Sequence, residues 1–334
     1  MNKHYFNEIE NTKQLNVKYY KAIDWNAIED EIDKATWEKL TEQVWLDTRI
    51  PISNDLDDWR KFSAEEKDLV GKVFGGLTLL DTLQSEEGAV MLMKDARTQH
   101  ERAVLSNIDF MESVHAKSYS SIFSTLNTKS EIEEIFEWVN NNEFLQRKAE
   151  IVNTIYQNGT PIQRKIASVF LESFLFYSGF FTPLYYLGQN KLANVAEIIK
   201  LIIRDESVHG TYIGYKFQLA MRELTEKEQQ DITNWAYDLL FELYENEEKY
   251  TELLYDKIGW TEEVKVFLRY NANKALMNLG MDPLFPDTAN DVNPIIMNGI
   301  STGTSNHDFF SQVGNGYLLG KVEAMTDDDY NVGL

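Results

Sequence analysis

Glu112-Ser-Val-His115 occurs a second time in the chain, as Glu206-Ser-Val-His209. On an α-helix, residues three apart lie on adjacent turns of one face, so each copy presents a carboxylate and an imidazole to the same point. A single Glu-x-x-His is weak evidence, since acidic helices contain it by chance. Two identical copies that use two of the five histidines indicate two helices that share one metal site.

Two further acids lie inside apolar stretches. Asp81 ends Phe74-Gly-Gly-Leu-Thr-Leu-Leu-Asp81, and Glu172 lies within Ile166-Ala-Ser-Val-Phe-Leu-Glu172-Ser-Phe-Leu-Phe-Tyr177. A carboxylate on such a face is costly to bury unless it is paired or binds a metal. The alternative for each is a core acid paired with a buried lysine or arginine, but these stretches offer no comparable set of embedded cations. Four carboxylates would balance the charge of two divalent ions.

Two Glu-x-x-His motifs and one carboxylate from each of two other helices form the ligand pattern of ferritin-like dimetal bundles. We therefore predict an all-α, ferritin-like helical bundle with a dimetal carboxylate site in its core. Capping-box patterns at Ser63–Glu66, Ser130–Glu133 and Thr225–Glu228 predict helix starts. Helices are predicted near 64–95, 100–126, 130–157 (more than one), 162–187, 191–222, 226–257 and 262–279.

Composition limits the function further. The 334 residues carry a formal charge of −22, which disfavours binding to nucleic acid or anionic membranes. There is no cysteine, which excludes disulfides, zinc–thiolate sites and thiol catalysis by this chain. Carboxylate-rich ligands suit iron or manganese better than copper. We expect no membrane-spanning run and no signal peptide, and hence a cytoplasmic location.

Other residues have a structural and a functional interpretation. Tyr119 lies one turn beyond His115, where it is either a core tyrosine or a phenol beside the metals. Phe176 and Phe180 have the spacing of core packing, and Trp45 alone would also be assigned to the core. His100 follows Thr98 at a predicted helix start and is expected to be a surface or capping residue.

The C-terminal segment differs from the rest in composition. Residues 280–334 hold seven of the 17 glycines and three of the six prolines, so irregular, partly packed structure is expected there. The last residues, 323–334, carry four acids and no base. They are either a disordered solubilising tail or a docking peptide with apolar anchors such as Tyr330, Val332 and Leu334.

The chain resembles a known family, the small, radical-generating subunit of class Ib ribonucleotide reductase. The resemblance runs from about Ala22 to the C-terminus. Its most specific motifs are Leu79-Leu-Asp81, Met111-Glu-Ser-Val-His-Ala-Lys-Ser-Tyr119, Phe170-Leu-Glu-Ser-Phe-Leu-Phe-Tyr-Ser-Gly179, Ile203-Arg-Asp-Glu-Ser-Val-His-Gly210 and Arg269-Tyr-Asn-Ala-Asn-Lys-Ala-Leu276. One departure follows Asp81, where Glu86 and Glu87 stand in a turn expected to be more neutral.

The resemblance implies a role for each matching residue. Asp81, Glu112 and His115 would bind one metal, and Glu172, Glu206 and His209 the other, with a glutamate bridging. Tyr119 would carry a tyrosyl radical inside an apolar pocket made by Phe176, Phe180 and Ile202. The radical would pass by way of His115, Asp205, Trp45 and Tyr317 to the large catalytic subunit, where ribonucleotides are reduced.

The resemblance also implies partners and boundaries. Two manganese or two iron ions per chain, a homodimer, docking on the large subunit through the tail, and a flavodoxin-like activator for the manganese form are expected. The implied division is an N-terminal extension (1–21), a ferritin-like domain (22–290) and an irregular C-terminal segment (291–334). The alternatives are an autonomous dimetal oxygenase or oxidase on the same scaffold, and a metal-storage or structural bundle.

Overall fold

The computed structural model describes residues 21–286 and 291–300, and this part of the chain contains helices but no strand. The first helices are α1 (Glu31–Glu42), α2 (Leu56–Trp59), α3 (Ala64–Leu83), α4 (Ala89–Asp95), α5 (Gln99–Leu126), α6 (Lys129–Asn141) and α7 (Glu143–Asn158). They are followed by α8 (Pro161–Phe170), α9 (Tyr177–Gly188), α10 (Ala193–Met221), α11 (Glu226–Tyr255), α12 (Thr261–Asn278) and α13 (Pro294–Ile300). The predicted all-α, ferritin-like class is confirmed.

Two of the predicted helices contain a π-turn. Gln84–Gly88 joins α3 to α4, and Leu171–Leu175 joins α8 to the turn that begins α9. A π-turn adds one residue to a helical turn and is frequent at functional sites. Helical structure therefore continues from α3 through the first π-turn into α4, and from α8 through the second into α9. We call each of these two helical stretches, and each of the long helices α5 and α10, a rod.

Capping explains where the helices begin. Ser63 and Glu66 form a reciprocal capping box at the start of α3, and Thr225 and Glu228 form another at the start of α11. The box predicted at Ser130–Glu133 is wrong, because Thr128 is the N-cap residue of α6 and pairs with Glu131 instead. Both sequences have the capping-box form, but the helix begins two residues earlier than predicted. Thr128 and Glu131 therefore bind the free backbone amides at its N-terminus.

The N-terminus of α10 is capped by another segment of the chain. Leu192, which precedes it, has φ 49° and gives no side-chain cap. The buried carboxylate of Asp55 accepts from the backbone amides of Asn194 (3.2 Å) and Val195 (2.8 Å) instead. A carboxylate at this position also complements the positive end of the helix dipole.

The core lies between four rods that pack in neighbouring pairs. Helix α3 packs along α5, α10 packs along α8 and α9, and α5 and α10 contact each other. A single apolar cluster runs through all of them and contains Phe74, Tyr119 and Phe174. The two Glu-x-x-His helices therefore face one another across the middle of the bundle.

Two expectations about the rest of the chain need correction. Pro161–Gly188 is long and apolar enough to cross a membrane by length and composition, although no such run was expected. All of that apolar window is buried inside the protein, as in any core helix, so it gives no support to a membrane location. The segment after Gly280 is not irregular throughout, because α13 forms there, packs on α9 and buries Ile296 completely.

Candidate metal centre

Four structural elements bring the six predicted ligands together in the core. Asp81 comes from the last turn of α3, Glu172 from the second π-turn, and the two Glu-x-x-His motifs from the middle of α5 and of α10. All six side chains are completely buried. The arrangement matches the one that the sequence pattern predicts, with carboxylates and imidazoles converging on a point that water does not reach.

The six residues form two overlapping groups of four. One group is Asp81, Glu112, His115 and Glu206, and the other is Glu112, Glu172, Glu206 and His209. Within each group, one ligand atom per residue lies within 4.8 Å of all the others. Glu112 and Glu206 belong to both groups, so two glutamates stand where bridging ligands between two ions would be, whereas the resemblance specified one.

Each imidazole directs Nδ1 into the cluster. His115 Nδ1 lies 3.0 Å from Glu206 Oε1 and 3.4 Å from Asp81 Oδ1. His209 Nδ1 lies 2.9 Å from Glu112 Oε1 and 3.4 Å from Glu172 Oε2. The two sets of distances are nearly equal because both helices carry Glu and His at the same spacing.

Unpartnered polar atoms show that the residues of this cluster suit metal cations. Among the described residues, sixteen buried side-chain nitrogen and oxygen atoms have no hydrogen-bond partner, and ten of them belong to the six residues of this site. An unpaired buried polar atom is costly, and a buried unpaired carboxylate is more so. The donor set of four carboxylates and two imidazoles fits two divalent ions of the iron or manganese type.

The electrostatics agree with this fit. Burial raises the pKa of Asp81 and of Glu172 well above the ordinary value, and the charges of Glu112 and Glu206 raise it further for Glu172. Burial also opposes ionisation of Glu206, but the neighbouring Glu172 and the two nearby imidazoles lower its pKa. Without cations these carboxylates compete for protons, whereas two divalent ions would allow all four to be charged.

Tyr119 is completely buried beside this cluster. Burial, and then the charges of Asp81 and the cluster glutamates, raise the pKa of Tyr119 well above the ordinary value. The ring of Phe74 stacks against it, with centroids 5.9 Å apart and planes at 25°. Phe176, Phe180 and Ile202 have no exposed surface and belong to the same apolar core.

A hydrogen-bonded chain leads from the cluster towards Trp45. His115 Nε2 lies 3.2 Å from Asp205 Oδ2, and Trp45 Nε1 donates to that same oxygen at 2.7 Å. The rings of Trp45 and His115 are nearly parallel, with centroids 6.0 Å apart. Trp45 is therefore a core residue, as expected for a lone tryptophan. It also donates a hydrogen bond to Asp205, the residue immediately before the second Glu-x-x-His motif.

Several candidate residues lie elsewhere. Tyr317 and the acidic tail lie outside the described residues. His100 is not a surface residue: it is 6% exposed, its Nε2 lies 2.9 Å from the backbone oxygen of Asp24, and its ring packs edge-on against Trp25. It helps to fix the segment before α1 onto α5. Glu86 is exposed, and Glu87 accepts from Gln157.

Sequence reasoning missed the side chains that support the cluster. Gln43 Nε2 donates to Asp205 Oδ1 at 3.1 Å, and Arg204 donates to the same oxygen. Gln84 lies against Glu172, and Phe74 lies against Tyr119. Helical spacing contained part of this signal, since Phe74 lies two turns before Asp81 and Gln84 one turn after it, on the same face.

Comparison with known proteins identifies the relationship. The family model described as "Ribonucleotide reductase, small chain" matches residues 22–294. The subunit beta nrdF2 of a ribonucleoside-diphosphate reductase from Mycobacterium tuberculosis is 54% identical over 311 residues, which cover 93% of this chain and 96% of that protein. The ribonucleoside-diphosphate reductase 2 subunit beta of Escherichia coli is 51% identical, over 93% of this chain and 98% of the relative.

A solved structure is similar at high identity. The X-ray crystal structure of dimanganese(II)-NrdF from Streptococcus sanguinis has a TM-score of 0.84 and is 80% identical, with 84% of this chain and 100% of the other covered. The family model, which matches residues 22–294, spans all six buried residues. This chain belongs to the ribonucleotide reductase small-chain family, and within it to the class Ib subunits.

Proposed function

We propose that the six buried residues bind two manganese or iron ions, and that this centre generates a tyrosyl radical on Tyr119. Membership of the family makes the chain a small subunit of ribonucleoside-diphosphate reductase, an oxidoreductase of deoxyribonucleotide synthesis. The observation that carries the assignment of the site is the set of ten unpartnered ligand atoms next to a completely buried tyrosine.

The ligand groups suggest how the ions would be held. Asp81 and His115 would bind one ion, Glu172 and His209 the other, and Glu112 and Glu206 would contact both, as the two overlapping groups indicate. Once oxidised by an external oxidant, two such ions would supply the oxidising power that amino-acid side chains lack. The 80% identity to a protein that was crystallised with two manganese(II) ions supports manganese here, while the same ligand types also suit iron.

The protein's own contribution around Tyr119 is to exclude water and reductants. Oxidation of the phenol removes one electron and one proton, and the neutral radical that results survives only in a dry, apolar site. Phe74 stacks on the ring, and Phe176, Phe180 and Ile202 extend the same buried core. The absence of cysteine removes the side chain most easily oxidised by a nearby radical.

We propose that the oxidising equivalent leaves through His115, Asp205 and Trp45 and reaches the large subunit by way of Tyr317. The bonds that Asp205 Oδ2 makes to His115 (3.2 Å) and to Trp45 (2.7 Å) support the first part of this route. An electron that moves inwards along this route reduces the Tyr119 radical back to tyrosine. The oxidising equivalent thereby moves outwards to the large subunit, where the ribonucleotide is reduced.

Family membership implies a large-subunit partner and a dimer of small subunits. We further propose that the acidic C-terminal tail docks on the large subunit and that a flavodoxin-like protein activates the manganese form. The proposed division into residues 1–21, 22–290 and 291–334 gives the ferritin-like domain to the middle part. A cytoplasmic location is proposed from the acidic composition, which disfavours contact with anionic membranes.

Activity measured with and without the large subunit tests this function. The metal-loaded, activated chain is expected to reduce ribonucleoside diphosphates only when the large subunit is present. Deletion of residues 317–334 should abolish that activity and leave the metal content unchanged. Turnover of a substrate by the chain alone, undiminished by the deletion, would identify an autonomous oxidase and contradict the proposal.

A further inference from the structure

Gln84 makes three hydrogen bonds inside the core, one helical turn beyond Asp81. Its side chain is completely buried at the start of the first π-turn. The Nε2 amide donates to Glu172 Oε1 and, at 2.9 Å, to Ser168 Oγ. The Oε1 atom accepts from the hydroxyl of Tyr156 at 2.5 Å. Every polar group of this amide is therefore in use.

Chemistry fixes which way this amide points. As a metal ligand Glu172 is an ionised carboxylate, which only accepts hydrogen bonds, so the amide nitrogen must face it. The amide oxygen must then face Tyr156, whose hydroxyl donates to it. Burial, and then the charge of Glu172, raise the pKa of Tyr156, so the hydroxyl keeps the proton that it donates. A flipped amide would place two acceptors against each other at Glu172.

The two oxygens of Glu172 differ as a result. Oε1 is occupied by the Gln84 amide. Oε2 has no hydrogen-bond partner and lies 3.4 Å from His209 Nδ1, inside the second group of ligands. Because Gln84 occupies Oε1, only Oε2 of Glu172 remains available at the point where the second group of ligands converges.

Gly88 leaves the space that this pair of side chains occupies. A Cβ atom at position 88 would lie 2.1 Å from Gln84 Oε1 and 2.7 Å from Tyr156 Cε2. Tyr156 is itself completely buried and cannot retreat into solvent. The π-turn therefore combines a buried amide at its first position with a glycine at its last, and both are needed for the bond between Gln84 and Tyr156.

We propose that Gln84 is a positioning residue for Glu172, which it restricts to offering Oε2 to the metal on the His209 side, with Tyr156 and Gly88 holding the amide in place. The proposal deepens the function proposed above and rests on Glu172 being a ligand. Supporting side chains of this kind usually change metal affinity about 10–100-fold when they are removed.

The experiment titrates metal-free, full-length protein with manganese(II). The electron paramagnetic resonance signal of the unbound ion measures how much manganese remains free. Wild-type protein is expected to bind two ions per chain. Gln84→Met keeps the size of the side chain but removes the donor, so one of the two ions should bind about 10–100-fold more weakly. The resonance spectrum of the bound ions should change as well. Tyr156→Phe, a milder change, should shift both readouts in the same direction by less.

Three controls separate the possible outcomes. Gln230→Met makes the same chemical change at an exposed position of α11 and should leave both readouts unchanged. Glu172→Gln should lose the same ion; if it does not, the ligand assignment fails, whatever the Gln84 variant does. Thermal unfolding of each metal-free variant reports packing. A Gln84→Met protein that is less stable but binds both ions with wild-type affinity and spectrum would overturn the positioning role.

Discussion

The carboxylate of Asp205 links His115 of the buried cluster to Trp45, which lies outside the cluster. One of its oxygens serves both His115 and Trp45, and the other accepts from Gln43 and Arg204. Four donors thus hold one side chain, which is 1% exposed. Charge-assisted bonds of this kind are short and strongly oriented. Asp205 therefore orders the proposed exit route without being one of the six cluster residues.

Asp205→Asn should leave the Tyr119 radical in place but impair ribonucleotide reduction by the large subunit. The amide keeps the size of the side chain but replaces one acceptor oxygen with a donor, which faces Trp45 or the Gln43 and Arg204 side. Metal content and the Tyr119 radical are expected to persist, while ribonucleotide reduction with the large subunit falls by about 10–100-fold or more. Radical content and turnover, measured on the same sample, check this.

The matched control is Asp231→Asn, the same exchange at an exposed position of α11. It should change neither quantity. Full turnover in the Asp205 variant, with normal radical content, would contradict the proposed route.

Residue-level prediction was strongest where a chemical type is rare. Two of five histidines in a repeated tetrapeptide, and two acids inside apolar stretches, were enough to select all six cluster residues. Gln84, Gln43 and Arg204 carry no comparable signal, because uncharged or ordinary surface-type residues become informative only when their partners from distant segments are known. His100 was misassigned for the same reason, since its partner Asp24 lies far away in sequence.

At the scale of elements, the rods hold their spacing through glycines at close contacts. A Cβ atom at Gly214 in α10 would lie 2.3 Å from the backbone oxygen of Asn278, at the end of α12. A backbone atom cannot move aside as the end of a side chain can. Gly71 in α3 is also tight, but a Cβ there would meet only the flexible end of Ile135, at 2.8 Å.

Gly214→Ala is therefore expected to destabilise the fold more than Gly71→Ala. Alanine favours either helix by about 1 kcal/mol relative to glycine, and overpacking against a backbone costs about 1–3 kcal/mol. The free energy of unfolding in denaturant should fall for Gly214→Ala and change little for Gly71→Ala. Equal effects of the two substitutions would show that the α10–α12 contact has room for a methyl group.

Helix positions were predictable from capping and periodicity, but the π-turns were not. Each inserts one residue into a rod whose apolar pattern continues on both sides, so a window of several turns averages it away. Both turns lie next to the cluster, at Gln84–Gly88 and Leu171–Leu175. Local propensity also could not decide between Thr128 and Ser130 as the N-cap of α6, since both residues suit that position.

Across the whole molecule, the formal charge is −22, and the metal-free protein also gathers four carboxyl groups in its core. Burial raises the pKa of Asp81 and Glu172. Burial alone would lower the pKa of His115 and His209, but the surrounding carboxylates raise it well above 6.5. The folded protein thus keeps protons that the unfolded chain releases, and it loses stability as the pH rises.

The metal-free protein should consequently be less stable at about pH 8 than at about pH 6, because all four raised groups favour the folded state only while they are protonated. Glu206, whose pKa is lowered, contributes a constant amount over this range. Manganese(II) should remove the decline, since the ions replace the protons. Denaturant unfolding at both pH values, with and without metal, measures this. A metal-free protein that gains stability between these values would contradict the account.

The proposed dimetal centre would oxidise Tyr119, and electron paramagnetic resonance detects the resulting radical. Wild-type protein that has been loaded with metal and activated should show a tyrosyl radical. Tyr119→Phe should bind the same two ions per chain and show no such signal. Tyr177→Phe, which changes another buried tyrosine of the same core, should keep the signal. A tyrosyl radical that persists unchanged in the Tyr119→Phe protein would contradict the account.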